Sequence, residues 1–307
     1  MDTFYQAAVM LKEKDPNIIP FAWGSGKIID FLCVSLGGYN QYGLDDNGQI
    51  SPAWNTAEYK SALNLMRKMY SEGLLNSDFA IQSGSERETA MVSGQAAMMQ
   101  TEYDTYERLY RSLATVDENA SLDIIPVFNG VTNAQVGSAV YFISSAVSEE
   151  KRNAIFQYFN DSLNQDILTW EYYGEEGRNY NLVDGLPVFT SAEAESEVAD
   201  TLLIYKSCAV NPVVIHWPSD SEVTANWKKA TEIYGESAVR NYASPLLSDT
   251  QTQYGSELDK ILNDACIQYI MGVIDEAGYD AAVEQWFAQG GTKVVEEYNT
   301  AYAKSAY

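Results

Sequence analysis

The sequence predicts an α/β protein, a sheet covered by helices, on three observations. Short apolar runs bounded by glycine or proline alternate with stretches whose apolar residues recur every three or four positions. After about residue 200 the second kind dominates. The 307 residues are 46% hydrophobic and 12% aromatic, enough material for a large core in one big domain or two of ordinary size.

Taken in order, Thr3 to Lys14 has Phe4, Ala7, Ala8 and Leu11 at helical spacing and stops at Asp15-Pro16. Ile18 to Trp23 reads as a buried strand closed by Gly24-Ser25-Gly26, and Lys27 to Leu36 as a helix ending at Gly37-Gly38. Asp45-Asp46-Asn47-Gly48 carries the residues of a tight hairpin turn. Between Asn55 and Glu72, the positions Tyr59, Ala62, Leu63, Met66, Met69 and Tyr70 form one apolar stripe. Asn55 and Glu58 are expected as a capping-box variant, and Gly73 as the stop. A short helix over Glu86 to Val92 leads to a strand over Gln95 to Gln100, then to a helix from Asp104 to about Leu113. Leu122 to Val127 and Ala139 to Ile143 are strand candidates, followed by a Ser148-capped helix with Ile155, Tyr158, Phe159 and Leu163 on one face. Ser256 to Met271 and Tyr279 to Phe287 are helical, whereas Ser191 to Glu197 and Ser244 to Tyr254 read as loose polar stretches.

Charge and motif content exclude several function classes. The balance of 19 Lys+Arg against 43 Asp+Glu, a net charge of −24, argues against a nucleic-acid partner. Cys33, Cys208 and Cys266 are far apart without a C-x-x-C pair, so a zinc site is not expected, and Cys33 and Cys266 sit in apolar runs as core residues. No metal, cofactor or catalytic residue is expected. Gly24-Ser25-Gly26-Lys27 is not a phosphate loop, because Ile28 follows the lysine and Phe21 stands where the first glycine belongs. Asp45 to Gly48 lacks the later bidentate glutamate of a calcium loop. The single histidine, His216, lies in an apolar segment with no G-x-S-x-G to meet it. Paired carboxylates, Glu102 with Asp104 and Glu171 with Glu175 and Glu176, keep a glycosidase open as the alternative.

Aromatics fall at strand ends beside polar residues. Trp23 closes one strand, Tyr103 follows another, and Trp170, Tyr172 and Tyr173 flank an acidic turn bounded by Gly174 and Gly177. An aromatic face beside carboxylates and amides suits a sugar, whose C–H face is apolar and whose edge is hydroxylated. The order of elements carries a resemblance. The Thr3 helix into Lys14-Asp15-Pro16, the Ile18 to Trp23 strand, the Asn55 to Gly73 helix with Leu74 to Phe79, and Ser93-Gly94-Gln95-Ala96-Ala97-Met98-Met99 come first. Ile125-Pro126-Val127, Val136-Gly137-Ser138, Tyr172 to Gly177 and Asp184 to Phe189 follow. Over nearly its whole length the chain resembles the family 1 extracellular solute-binding proteins of carbohydrate ABC importers. These are the maltose-binding-protein-like class, here in a lipoprotein branch.

That resemblance implies a type II periplasmic-binding-protein fold of two α/β lobes, with a carbohydrate held in the cleft between them and handed to permease subunits. It implies no chemistry. Residues 1–138 and 201–307 would form the second lobe, and 139–200 a remnant of the first with a crossing segment. The chain would begin after a secretory signal, a lipid-modified cysteine and most of the first lobe. Association with the membrane is expected only through that absent anchor, at the extracellular cell surface. The ligand-binding positions it implies are Trp23, Ser25, Thr101, Glu102 and Tyr103 on one lobe, and Tyr173 and Glu175 after the crossing.

Overall fold

The computed structural model describes residues 2–24, 28–101, 103–125, 127–133, 143–161, 164–183, 185–202, 229–230, 232–233 and 235–305. The chain divides into two compact units, residues 1–136 with 233–307, and residues 137–232.

In the first unit α1 (Asp2–Lys14) turns Phe4 and Ala8 inward, and the Phe4 ring meets Phe21 of β1 (Ile19–Ala22) edge-on at 5.3 Å. β1 pairs in parallel with β4 (Ala96–Met99), Phe21 opposite Met98 and Ala22 opposite Met99, and Phe21 also bridges Leu75. Parallel strands need a crossover, and the intervening chain supplies it with helices. These are α2 (Ile28–Ser35), α3 (Ala57–Ser71) and α4 (Gly84–Val92). Between α2 and α3, β2 (Tyr42–Leu44) and β3 (Ile50–Pro52) form the expected hairpin. Asp45 Oδ1 accepts the Asn47 and Gln49 amides at 2.9 and 2.8 Å, and Gly48 takes φ +71°, so the acidic turn spends its carboxylate on its own backbone.

Caps differ from the sequence reading. Asn55 ends a short 3-10 turn, Ala53–Asn55, and Thr56 is the cap of α3, its Oγ1 accepting the Tyr59 amide at 3.3 Å. α4 starts earlier than expected because Ser83 and Glu86 form a reciprocal capping box. After α5 (Tyr103–Val116) the strand expected from Leu122 does not form over residues 122–125. Local bonds satisfy the backbone there instead: the Tyr106 hydroxyl donates to the Leu122 carbonyl at 2.9 Å, and Asp123 Oδ1 accepts the Ile124 amide at 2.7 Å. The Ala139 strand candidate, His216 and Cys208 lie outside the described residues. β5 (Thr132–Asn133) pairs in parallel with β8 (Ala238–Val239).

The end of the chain completes the same core. α9 (Asp249–Ile270) begins within the stretch read as loose, because Ser248 caps it and Glu297 reinforces the cap. Ser248 Oγ and the Thr250 amide and hydroxyl donate to the Glu297 carboxylate at 2.5, 3.0 and 2.9 Å. α10 (Glu276–Trp286) follows an Asp275 cap, and a wide turn, Phe287–Gly291, joins it to α11 (Thr292–Tyr302). Leu258, Leu262, Tyr269, Tyr279 and Trp286 are buried in one cluster with Leu63, Met66 and Met69 of α3.

The second unit contains α6 (Glu149–Asp161), α7 (Gln165–Tyr173), the antiparallel hairpin β6 (Tyr180–Val183) with β7 (Leu186–Phe189), and α8 (Ala192–Leu202). α8 replaces the loose stretch read over Ser191 to Glu197. The Ser148 cap of α6 is as expected, its Oγ accepting the Lys151 amide at 3.3 Å. No described residue of α6 is buried, and Phe156 and Tyr158 are 56% and 53% exposed. No helix among the described residues is long and apolar enough to cross a membrane.

Candidate functional site

The parallel pairing of β1 with β4 brings two of the expected site segments to one carboxyl edge. The chain leaves β1 through Trp23 and Gly24, and leaves β4 through Gln100 to Thr101, which is exposed. The buried Asn76 side chain ties this edge to the segment after α3. Its Oδ1 accepts the Trp23 amide at 2.7 Å, and its Nδ2 donates to Asp78 and Gln82 at 3.1 and 2.8 Å. A cation joins them: the Arg87 guanidinium, donating to the Gln82 carbonyl at 3.3 Å, occupies the space that a β-carbon on Gly24 would need. Carboxyl edges of parallel strands are where open α/β sheets bind ligands.

Among the expected residues, Trp23 is 3% exposed, and its ring stacks on Phe79 at 4.7 Å with 13° between the planes. One face of the indole is therefore committed to the core. Ser25 and Glu102 lie outside the described residues; Tyr103 opens α5, a helical N-terminus at the same edge. In the second unit Tyr173 is buried, its ring 5.9 Å from both Tyr180 and Phe189, so it packs the hairpin. Glu175 is exposed in the turn behind it, where Asn179 Oδ1 accepts the Glu175 amide at 3.0 Å.

A cavity of ≈ 510 Å³ opens in the first unit beside Trp23. Its buried lining includes Tyr42, Trp54, Tyr59 and Cys266, and its exposed lining Gln41, Asp259 and Asn263. Gln41 holds the wall together: its Nε2 donates to Asp30 Oδ2 at 3.1 Å and its Oε1 accepts from Asn241 Nδ2 at 3.0 Å. Burial pushes the Asp30 carboxyl up to about 6, the Gln41 amide pulling weakly the other way. Burial likewise lifts the Cys266 thiol to about 12, so Cys266, whose Sγ lies 3.7 Å from the Tyr59 hydroxyl, is inert packing. Among the described residues no group of histidines, cysteines and carboxylates could hold a metal ion.

Sequence reasoning passed over Asp30, Gln41, Trp54, Asn76 and Arg87. Asp30 alone had a readable signal, a single acid inside the apolar helix Ile28-Ile29-Asp30-Phe31-Leu32. The others become neighbours only through tertiary packing.

No family model matches the chain. The lipoprotein LipO of Bacillus subtilis (strain 168) is 29% identical over 334 residues, covering 99% of this chain and 65% of LipO. The polygalacturonan/rhamnogalacturonan-binding protein YtcQ of the same organism is 26% identical over 323 residues, covering 99% of this chain and 64% of YtcQ. The chain thus spans about 65% of the length of the curated relatives it matches. Among solved structures, the alginate-binding protein AlgQ2 without calcium ion superposes with a TM-score of 0.67 at 17% identity, over 99% of this chain and 68% of that one. In sequence the chain is a homologue of the solute-binding proteins of carbohydrate ABC transporters, and its α/β fold is that of two-domain solute-binding proteins.

Proposed function

We propose that the chain belongs to the substrate-binding component of a carbohydrate ABC importer, which captures a sugar or oligosaccharide and delivers it to membrane permease subunits. The observation that carries this reading is the shared carboxyl edge of β1 and β4, where the chain leaves one strand through Trp23 and Gly24, beside the Asn76 and Arg87 side chains, and the other through the exposed Thr101. The partly exposed Gln82 and Arg87 side chains and the exposed Thr101 are of the kind that hydroxyl groups need as donors and acceptors, while the buried Asn76 amide is spent on Trp23, Asp78 and Gln82. Thr101, Ser25, Glu102 and Tyr103 are proposed as ligand contacts. Within residues 137–232 the exposed Glu175 is proposed as a contact, whereas Tyr173 is packing, its ring buried against Tyr180 and Phe189. The two units correspond to the two lobes of the class, and the complete protein acts outside the cell, held at the membrane by a lipid anchor.

A binding role requires that the ligand leave unchanged. Calorimetric titration with a panel of oligosaccharides, followed by chromatography of the same samples, tests it. The expected result is saturable heat with no new product. Product formation abolished by Glu102→Gln or Glu175→Gln would replace this reading with a glycosidase.

A further inference from the structure

We propose that the β1/β4 edge selects an acidic carbohydrate, one whose sugar unit carries an oxyanion such as a carboxylate, and that the guanidinium of Arg87 recognises it. The inference rests on the reading of this edge as the place of capture, and it adds a charge class and the residue that sets it. Arg87 belongs to α4 and is half-buried. Among the described residues its one hydrogen bond, to the Gln82 carbonyl, is long at 3.3 Å, and no carboxylate pairs with it. A guanidinium has five N–H donors, so most of them are unspent.

A cation in that state stands apart in a chain with 43 Asp+Glu against 19 Lys+Arg. The acids beside it are committed elsewhere. The Glu86 carboxylate accepts the Ser83 amide and hydroxyl at 2.7 and 2.8 Å, and Glu88 accepts two bonds from Arg108 at 2.6 and 2.9 Å. The hydrogen bond from Arg108 is what chiefly holds the Glu88 carboxyl below its usual value, and Arg87 acts on it least. Arg67 shows the contrast. Also half-buried, it donates to the Ile274 carbonyl at 2.9 Å and lies 4.7 Å over the Tyr269 ring. A partly desolvated guanidinium without a counter-charge is costly, and an incoming anion offsets that cost.

Gly24 is the second observation. Its backbone is not left-handed, so no turn requires a glycine there. A β-carbon at this position would collide with the Arg87 guanidinium. The missing side chain thus keeps a seat that holds the cation against the backbone where the chain leaves β1. The two oxygens of a carboxylate match the guanidinium fork, as do those of a phosphate ester, whereas a hydroxyl offers a single oxygen. The acidic excess of the chain does not forbid such a ligand, because exposed charges beyond about 8 Å are largely screened at physiological ionic strength.

The test is calorimetric titration of the full chain. Trisaccharides of galacturonic and of mannuronic acid are the acidic probes, and their methyl esters keep the rings and linkages without the charge. Glucose 6-phosphate, with glucose as its neutral counterpart, represents the phosphate source. The expected result is an acidic probe bound about ten- to a hundredfold more tightly than its neutral counterpart, the size of hydrogen bonds to a charged group. Uronate preference identifies a carboxylate ligand, and glucose 6-phosphate preference a phosphate ester; either supports the assignment to Arg87. Arg87→Gln should bring the ratio close to one, and Arg87→Lys should keep part of it, since the charge stays and the fork goes. Added sodium chloride should lower the ratio in the parent. A merely structural Arg87 would lower the melting temperature of Arg87→Gln while leaving the ratio as in the parent, which overturns the inference. Equal affinity of the parent for acid and ester also overturns it, and saturable heat from the neutral probes then leaves capture at the edge standing. No heat from any probe, together with none from the oligosaccharide panel, overturns both readings.

Discussion

Replacing Asp30 by asparagine isolates the electrostatic cost of the cavity. Burial lifts this carboxyl from 3.8 to about 6. Because the folded-state value lies above the unfolded one, the native chain keeps a proton that the unfolded chain releases, and stability falls as pH rises from about 4 through 6. A shift of about two pKa units corresponds to roughly 3 kcal/mol at neutral pH, an upper figure because the side chain is only half-buried. Asparagine preserves the shape and an oxygen for Gln41 Nε2, now 3.1 Å away, and cannot ionise. Asp30→Asn should match the parent near pH 4 and exceed it by about 1 to 3 kcal/mol at pH 7.5. Urea unfolding at both pH values, followed by near-ultraviolet circular dichroism from the aromatic core, reads the difference. An equal change at both pH values, or a loss at pH 7.5, would refute the reasoning.

Three further outcomes are expected. Trp23→Ala should lower stability by about 3 to 5 kcal/mol, as core truncations do, because the ring is buried on Phe79; a variant that melts like the parent but loses sugar affinity would return Trp23 to ligand stacking. Hydrogen bonds from Ser248 and Thr250 hold the Glu297 carboxyl below its usual value of 4.5, so its contribution is present above that value and fades as pH falls. Glu297→Gln should therefore cost about 1 to 2 kcal/mol at pH 7 and progressively less below pH 4.5 in thermal melts. The isolated chain should bind an apolar fluorescent dye through α6, and Phe156→Ser with Tyr158→Ser should reduce that signal; dye fluorescence equal to buffer alone contradicts it.

What the sequence made legible was set by how local each determinant is. The stripe of α3, the Asp45 to Gly48 turn and the strand before Gly24 depend on near neighbours, and each appears as read. The start of α9 does not, since its cap is completed by Glu297 from α11. The same division runs through the candidate site. The strand-end positions Trp23 and Thr101 were readable from a strand followed by a polar turn, and β1/β4 pairing places those chain ends at one edge. That the Trp23 ring faces Phe79 was not readable, because Phe79 comes from the far side of α3. Asp30, Gln41 and Asn241 form one relay across 200 positions of chain, which no local pattern records.

The first unit is written in two pieces, and the hairpin shows what this means for timing. Ile50 exchanges two hydrogen bonds with the Asn299 side chain at 2.7 and 3.0 Å, the Tyr279 hydroxyl donates to the Trp54 carbonyl at 3.0 Å, and the Trp54 and Trp286 rings meet edge-on at 4.8 Å. During synthesis the hairpin and α3 emerge before α10 and α11, so these contacts wait until those helices have been made. Closing so long a loop adds little to the equilibrium cost, which grows only logarithmically with length, but it delays the docking step. The hairpin therefore gains these contacts only after 225 to 249 further residues have been added. A premature stop between α9 and α10 would remove not only the terminal helices but the partners on which the hairpin, far upstream, depends.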